Sequence, residues 1–338
     1  MKAVALTHYL PITDPNSLMD VELDKPVPTG RDLLIATKAI AVNPVDYKVR
    51  APKETVEPTP KVLGWDAAGI VEAVGPDVTL FQPGDEVYYA GDITRQGANS
   101  EFHLIDERIV GSKPKSLDFA HAAAFPLTSI TAYEAFFERL NIDVDGANKG
   151  ESILIIGGAG GVGSIAIQLA KIAGLNVITT ASRPESSAWV KKLGADHVIN
   201  HREPLRPQIE SIGLKYVDYI ALFNDTDGHW NAAVDLIRPQ GHIVTIVENS
   251  KPLEQNEMKM KAATFSWEFM FTRSMFQTPD MIEQHHLLNR IAHWIDDGRI
   301  QGTAGDVMSP INAKNLRAAH ATLEEGRAIG KIVLKGWE

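Results

Sequence analysis

The chain has 338 residues, 44% hydrophobic and 22% charged, which is long enough for two domains with a sizeable core and excludes disorder as a description. Its 33 basic and 43 acidic side chains give a formal charge of −10, which repels phosphate backbones and anionic lipid, so neither nucleic acid nor a membrane surface is an expected partner. There is no cysteine, which excludes disulfides, thiol nucleophiles and every thiolate-bound zinc or iron–sulfur centre.

In chain order, Met1 to Leu6 lacks a sustained apolar h-region with a cleavage site and reads as a first strand, making a cytoplasmic location the default expectation. Up to about residue 124, short strands at 33–36, 69–74 and 85–89 are separated by Pro, Gly and Asp, the grammar of a mostly β domain. From about residue 125, helix and strand alternate: helix 127–139, strand 152–156, helix 163–173, strand 176–180, helix 186–193 and strand 197–200, with further strands at 217–222 and 241–247. The aromatic-rich segment 264–271 reads as an edge strand able to pair with a second subunit, so a homodimer is expected. An amphipathic helix over 281–297 precedes a last strand, 330–334, which returns to the first domain. The expected division is thus 1–124 with 276–338, and 125–275. Residues 153–170 are apolar except for Ser164 and Gln168, but five glycines in their first half suit a nucleotide turn rather than a membrane span.

That turn carries the clearest chemical signal. Gly158, Gly160 and Gly163 fit G-x-G-x-x-G immediately after a strand, with Ala159, Gly161 and Val162 completing the loop. The first glycine permits a tight turn, the second lets backbone approach a pyrophosphate, and the third lets helix and strand pack closely. The helix N-terminus adds free N–H donors and partial positive charge. The strand at 176–180 completes the unit of roughly 30 residues that a dinucleotide site requires. An NAD-preferring site carries Asp or Glu about twenty residues beyond the turn, to hold the ribose 2′-OH. Here the sequence is Thr180-Ala181-Ser182-Arg183-Pro184. The Ser182 hydroxyl and Arg183 guanidinium suit a 2′-phosphate, so NADPH is the expected coenzyme; the alternative is that Arg183 is a solvated loop residue.

Several motifs together resemble the medium-chain dehydrogenase/reductase superfamily, in particular its zinc-independent quinone oxidoreductase branch. They are Asn43-Pro44-Val45-Asp46, Gly64-Trp65-Asp66-Ala67-Ala68-Gly69-Ile70-Val71, Phe81-x-x-Gly84-Asp85-Glu86-Val87, Thr131-Ala132-Tyr133, the glycine turn ending in Gln168-Leu169-Ala170-Lys171, Lys192-Leu193-Gly194-Ala195-Asp196, and Gly330-Lys331-Ile332-Val333-Leu334. The resemblance implies an α/β fold: a Rossmann doubly wound parallel sheet plus a GroES-like, mostly β catalytic domain built from both chain ends, with the active site in the cleft. Relatives are often named zinc-type alcohol dehydrogenase-like. Zinc-dependent members place Cys at position 43, His at 65, Glu at 66 and a further Cys near 128. This sequence has Asn43, Trp65 and Asp66 there, so no metal is expected. A non-family site from Glu101, His103 and Asp66 is the remaining zinc alternative.

Without a Lewis acid to hold an alkoxide, alcohol oxidation is disfavoured. A quinone or an α,β-unsaturated carbonyl accepts hydride more readily, because the incoming charge is delocalised onto an oxygen that hydrogen bonds can stabilise, with water as proton source. The resemblance places Asn43, Tyr47 and Thr128 around the nicotinamide as candidate donors. Each has a bland alternative: a turn before Pro44, a pocket-wall aromatic, and a helix cap. Trp65 is expected to pack, and Asp46 and Asp66 to hold loops. Arg327 lies where relatives bring a C-terminal basic group to the coenzyme, though a solvent-facing helix end also explains it. The expected activity is NADPH-dependent, metal-free reduction of a small-molecule quinone or enal/enone. The alternatives are a zinc-dependent alcohol dehydrogenase and a non-catalytic NADPH-binding regulatory protein.

Overall fold

A computed structural model describes residues 1–337. The chain forms two compact units, one of Met1–Ile130, Phe271–Gly298 and the segment from Gly302 onward, the other of Thr131–Met270 with Arg299–Gln301.

The first unit begins with β1 (Lys2–Tyr9), β2 (Met19–Glu22), β3 (Asp32–Val42), β4 (Lys53–Val62), β5 (Asp66–Val74), β6 (Glu86–Ala90), β7 (Phe102–Asp106) and β8 (Val110–Ser112). Strand β3 organises it. Its Leu33, Ile35 and Ala39 are fully buried, and it pairs antiparallel with both β5 and β7. A Cβ on Gly69 of β5 would lie 2.4 Å from the Ala36 carbonyl oxygen of β3, so this crossing requires a glycine.

The second unit contributes β9 (Ser152–Ile156), β10 (Asn176–Thr180), β11 (His197–Ile199), β12 (Val217–Leu222), β13 (Ile237–Thr245) and β14 (Thr264–Trp267). All their pairings are parallel, in the order β11-β10-β9-β12-β13-β14. This is the doubly wound order, and its reversal at β9 creates a crevice at the carboxyl ends of the strands where ligands bind. Strand β9 reads as a continuous apolar run because both its faces are covered. The helix Gly161–Ile172 buries Ile165, Ala166, Leu169 and Ala170. The chain then returns to the first unit with β15 (Ala304–Met308) and β16 (Lys331–Lys335); β16 pairs antiparallel with β3, Ile332 opposite Val42.

Strands 152–156, 176–180 and 217–222 coincide with expectation. Three segments differ. Strand β13 starts at Ile237 rather than 241: Arg238-Pro239-Gln240-Gly241 reads as a turn, and Gln240 does take a left-handed φ of 62°, but the chain pairs on both sides of this kink with a register shift. Strand β14 lies at the sheet edge as expected but ends at Trp267, and Phe271 belongs to the first unit. The helix expected over 127–139 is α-helical over Pro126–Tyr133 and π-helical over Glu134–Arg139. Among the described residues no helix is long and apolar enough to cross a membrane.

Candidate active site

The glycine turn follows β9 at the point where strand order reverses. Gly157 has a φ of 93°, open to glycine at little cost, and its N–H donates to Thr180 Oγ1 of β10 at 3.0 Å. A Cβ on Gly158 would sit 1.9 Å from Thr179 Oγ1, the hydroxyl that donates to the Ile155 carbonyl at 2.9 Å. A Cβ on Gly163 would overlap backbone, 2.3 Å from the Gly157 oxygen and 2.6 Å from the Gly158 Cα. Gly160 differs: a Cβ there would meet only the Gly157 oxygen, at 3.5 Å, an ordinary contact, so nothing in the protein itself requires a glycine at this position. Gly160 is also the N-cap of Gly161–Ile172 and has no side chain to cap the helix, whose first N–H groups, from Gly161 onward, are the donors an anion can use.

Strand β10 lies beside β9 and parallel to it, so Ser182 and Arg183 come to the same carboxyl edge as the turn. Both are half-buried. The Arg183 N–H donates to Ser186 Oγ at 3.2 Å, and the Ser186 hydroxyl donates to the Arg183 carbonyl at 2.9 Å, so Arg183 opens the helix Pro184–Lys192. Arg327 is exposed and follows the helix Ala313–Glu324 of the first unit.

In the first unit a buried polar cluster forms where β3, β5 and β16 meet the helix Pro44–Arg50. Asn43 is the N-cap of that helix, and its N–H donates to Asp46 Oδ2 at 2.6 Å. Its carboxamide is also engaged: Nδ2 donates to Asp66 Oδ2 at 2.8 Å, and Oδ1 accepts from Lys331 Nζ. Lys331 Nζ also donates to Asp66 Oδ2 at 2.8 Å and to the Val42 carbonyl at 3.0 Å. The other Asp66 oxygen accepts from the Leu127 N–H at 2.7 Å. All four side chains, Asn43, Asp46, Asp66 and Lys331, are at most 3% exposed. Burial raises the Asp66 carboxyl, against the pull of Lys331. Burial pushes Asp46 up to about 7, with Oδ1 left unpartnered among the described residues.

The remaining candidates divide. Tyr47 is half-buried, and no described residue hydrogen-bonds its phenol. It lines a cavity of about 430 Å³ with Ile12, Arg50, Pro52 and Glu324. Thr128 sits inside the helix Pro126–Tyr133 rather than at its cap, and its hydroxyl donates to the Phe125 carbonyl at 3.1 Å. Trp65 packs edge-on against Phe271 at 6.1 Å, fully buried, its indole N–H without a described acceptor.

Two family profiles match, an alcohol dehydrogenase GroES-like domain over residues 29–115 and a zinc-binding dehydrogenase over 161–289. A zinc-type alcohol dehydrogenase-like protein of Staphylococcus aureus (strain COL) is 46% identical over 335 residues, 99% of each chain. The chain belongs to the medium-chain dehydrogenase/reductase superfamily. It falls in the superfamily's quinone oxidoreductase-like branch. The 2-methylene-furan-3-one reductase of Solanum lycopersicum is 31% identical, covering 99% of this chain and 79% of the relative. The Escherichia coli quinone oxidoreductase complexed with NADPH superposes with a TM-score of 0.81 at 25% identity, covering 99% of this chain and 100% of that one.

Zinc, implied by several of these names, does not fit the residues present. Of the positions that hold the metal in zinc-dependent members of the superfamily, one is an indole packed in the core and one an amide bonded to a lysine. The third is a carboxylate whose two oxygens already accept from Lys331, Asn43 and the Leu127 N–H. The alternative set does not converge either. His103 is bonded at both nitrogens, to the Tyr89 hydroxyl and the Gln96 carbonyl, and Glu101 accepts from the Lys2 N–H. Among the described residues no three His, Asp or Glu side chains group as metal ligands. A nicotinamide coenzyme does fit, since the helix Gly161–Ile172 starts at the strand-order reversal with no side chain capping its first N–H groups, and a Cβ at Gly160 would meet no protein atom closer than 3.5 Å. Sequence reasoning missed the role of Lys331. It stands in a motif used only to recognise the family and to place a strand, and no periodicity marks a lysine whose ammonium is buried.

Proposed function

We propose that this protein is an NADPH-dependent reductase that works without a metal and transfers hydride to a quinone or to the double bond of an enal or enone. The observation that carries the reading is the Asn43–Asp66–Lys331 cluster, in which a lysine ammonium neutralises the carboxylate that a metal would need. When bound, the coenzyme supplies hydride. The glycine turn and the helix start at Gly161 bind its pyrophosphate, and Ser182 and Arg183 hold the 2′-phosphate. Asn43 Nδ2 and the Tyr47 phenol donate to the acceptor oxygen as negative charge develops there, and water returns the proton. Thr128 contributes as a donor only if its hydroxyl turns away from Phe125.

The names of the tomato reductase and the E. coli oxidoreductase support this reading of acceptor class, and the NADPH bound by the latter supports the coenzyme. The exposed Trp267 at the edge strand β14 supports a homodimer. Mixing pure protein with NADPH and a quinone, and separately with an enone, tests the activity: coenzyme oxidation with at least one acceptor is expected, and none with either refutes it.

A further inference from the structure

We propose that Lys331 is a positioning residue: its ammonium fixes which way round the Asn43 carboxamide sits, so that the amide offers an N–H, not a carbonyl lone pair, to the acceptor oxygen. This rests on the reading of Asn43 as an acceptor-binding donor. An ammonium has three hydrogens and no lone pair, whereas a carboxylate has lone pairs and no hydrogen. Lys331 spends its hydrogens on the Val42 carbonyl, Asn43 Oδ1 and Asp66 Oδ2. Asp66 Oδ2 receives Asn43 Nδ2 beside it. Turning the amide over would set its NH2 against the ammonium and its carbonyl oxygen against the carboxylate, exchanging two charge-assisted bonds for two repulsions.

The amide therefore has one permitted orientation, imposed by charges on β16 and β5. One of its two Nδ2 hydrogens goes to Asp66, and the second has no partner among the described residues. The backbone at Asn43 is held separately, by Asp46. Lys331 is thus not needed to start the helix Pro44–Arg50, and its effect falls on the side-chain amide.

A double-mutant cycle tests this. Lys331→Met removes the ammonium at similar length. Without Lys331 the buried Asp66 carboxyl is driven to take up a proton, and a neutral carboxyl can bond the amide either way round; Lys331→Met/Asp66→Asn, whose neutral amide also bonds either way, is the charge-balanced second variant. In the Asn43 background both are expected to lower kcat about 100-fold, as loss of one oxyanion donor does, with the Kd of NADPH changed less than about twofold. In the Asn43→Ala background the same exchanges are expected to change kcat less than about twofold. An equal loss in both backgrounds, or no loss in the first, overturns the proposal. If the parent protein reduces neither acceptor, the reading of function fails, and the positioning is tested by NMR instead. The Asn43 side-chain amide resonance, identified as the one absent from Asn43→Ala, must then move in Lys331→Met/Asp66→Asn; an unmoved resonance overturns it.

Discussion

Replacing the fingerprint glycines one at a time by alanine separates those that hold the fold from the one that leaves room for the coenzyme. In Gly163→Ala the new methyl would stand 2.3 Å from one backbone atom and 2.6 Å from another, neither of which can swing aside as a side chain does. Overpacking of that kind costs about 3 kcal/mol, against a gain of about 1 kcal/mol from replacing glycine inside a helix. The net loss is about 2 kcal/mol, or about 5 °C in Tm for a unit of this size. Gly158→Ala meets the Thr179 hydroxyl, which can turn only by giving up its bond to Ile155, a loss of about 1–2 kcal/mol. Gly160→Ala meets nothing closer than 3.5 Å, and the φ of −73° suits alanine. Its unfolding temperature should stay within about 2 °C of the parent, because an N-cap glycine exceeds alanine only modestly. Its Kd for NADPH should rise at least about tenfold if the pyrophosphate lies against Gly160 as proposed, since the methyl would take its space. Thermal unfolding without ligand, and coenzyme titration by fluorescence, read the two effects separately. NADPH binding by Gly160→Ala like that of the parent, or a Gly163→Ala protein as stable as the parent, would refute these glycine roles.

Arg183→Ala should weaken NADPH binding by about 1.5–3 kcal/mol and leave NADH almost unaffected, and equal losses for both coenzymes in calorimetry would remove Arg183 from the 2′-phosphate site. Asp46, raised by burial from 3.8 to about 7 in the folded protein, stabilises the fold fully only below its unfolded value, and this contribution is lost as pH rises through about 7. Relative to Asp46→Asn, the parent should therefore lose up to about 4 kcal/mol of stability between about pH 4 and pH 8. Urea unfolding at a series of pH values measures that difference, and parallel curves for the two proteins would contradict it.

The parallel sheet was legible because its strands are short, buried runs rich in β-branched and aliphatic residues, with β9 closed by Gly157, which is why β9, β10 and β12 fall where the sequence places them. Strand β13 was less legible because Pro239, Gln240 and Gly241 carry turn chemistry within a segment that the pairing of Val217 with Ile237 keeps in the sheet. The close packing at Gly163 could be read from spacing, whereas the left-handed turn residue is Gly157 and Gly158 makes room for the Thr179 hydroxyl of β10, a neighbour that spacing does not reveal. The polar cluster could not. Asn43, Asp66 and Lys331 lie on three strands or strand ends, up to 288 residues apart, and only the antiparallel pairing of β16 with β3 sets the ammonium beside the amide. The engagement of the Thr128 hydroxyl with Phe125 was equally hidden, because it depends on the exact start of its helix.

The central claim is metal-free reduction, and its most direct test is NADPH oxidation by chelator-treated protein whose zinc content is measured in the same sample. Turnover of a quinone or an enone is expected with far less than one zinc per chain, unchanged by added zinc. Near-stoichiometric zinc in the purified protein, with activity lost to the chelator and restored by the metal, would contradict it.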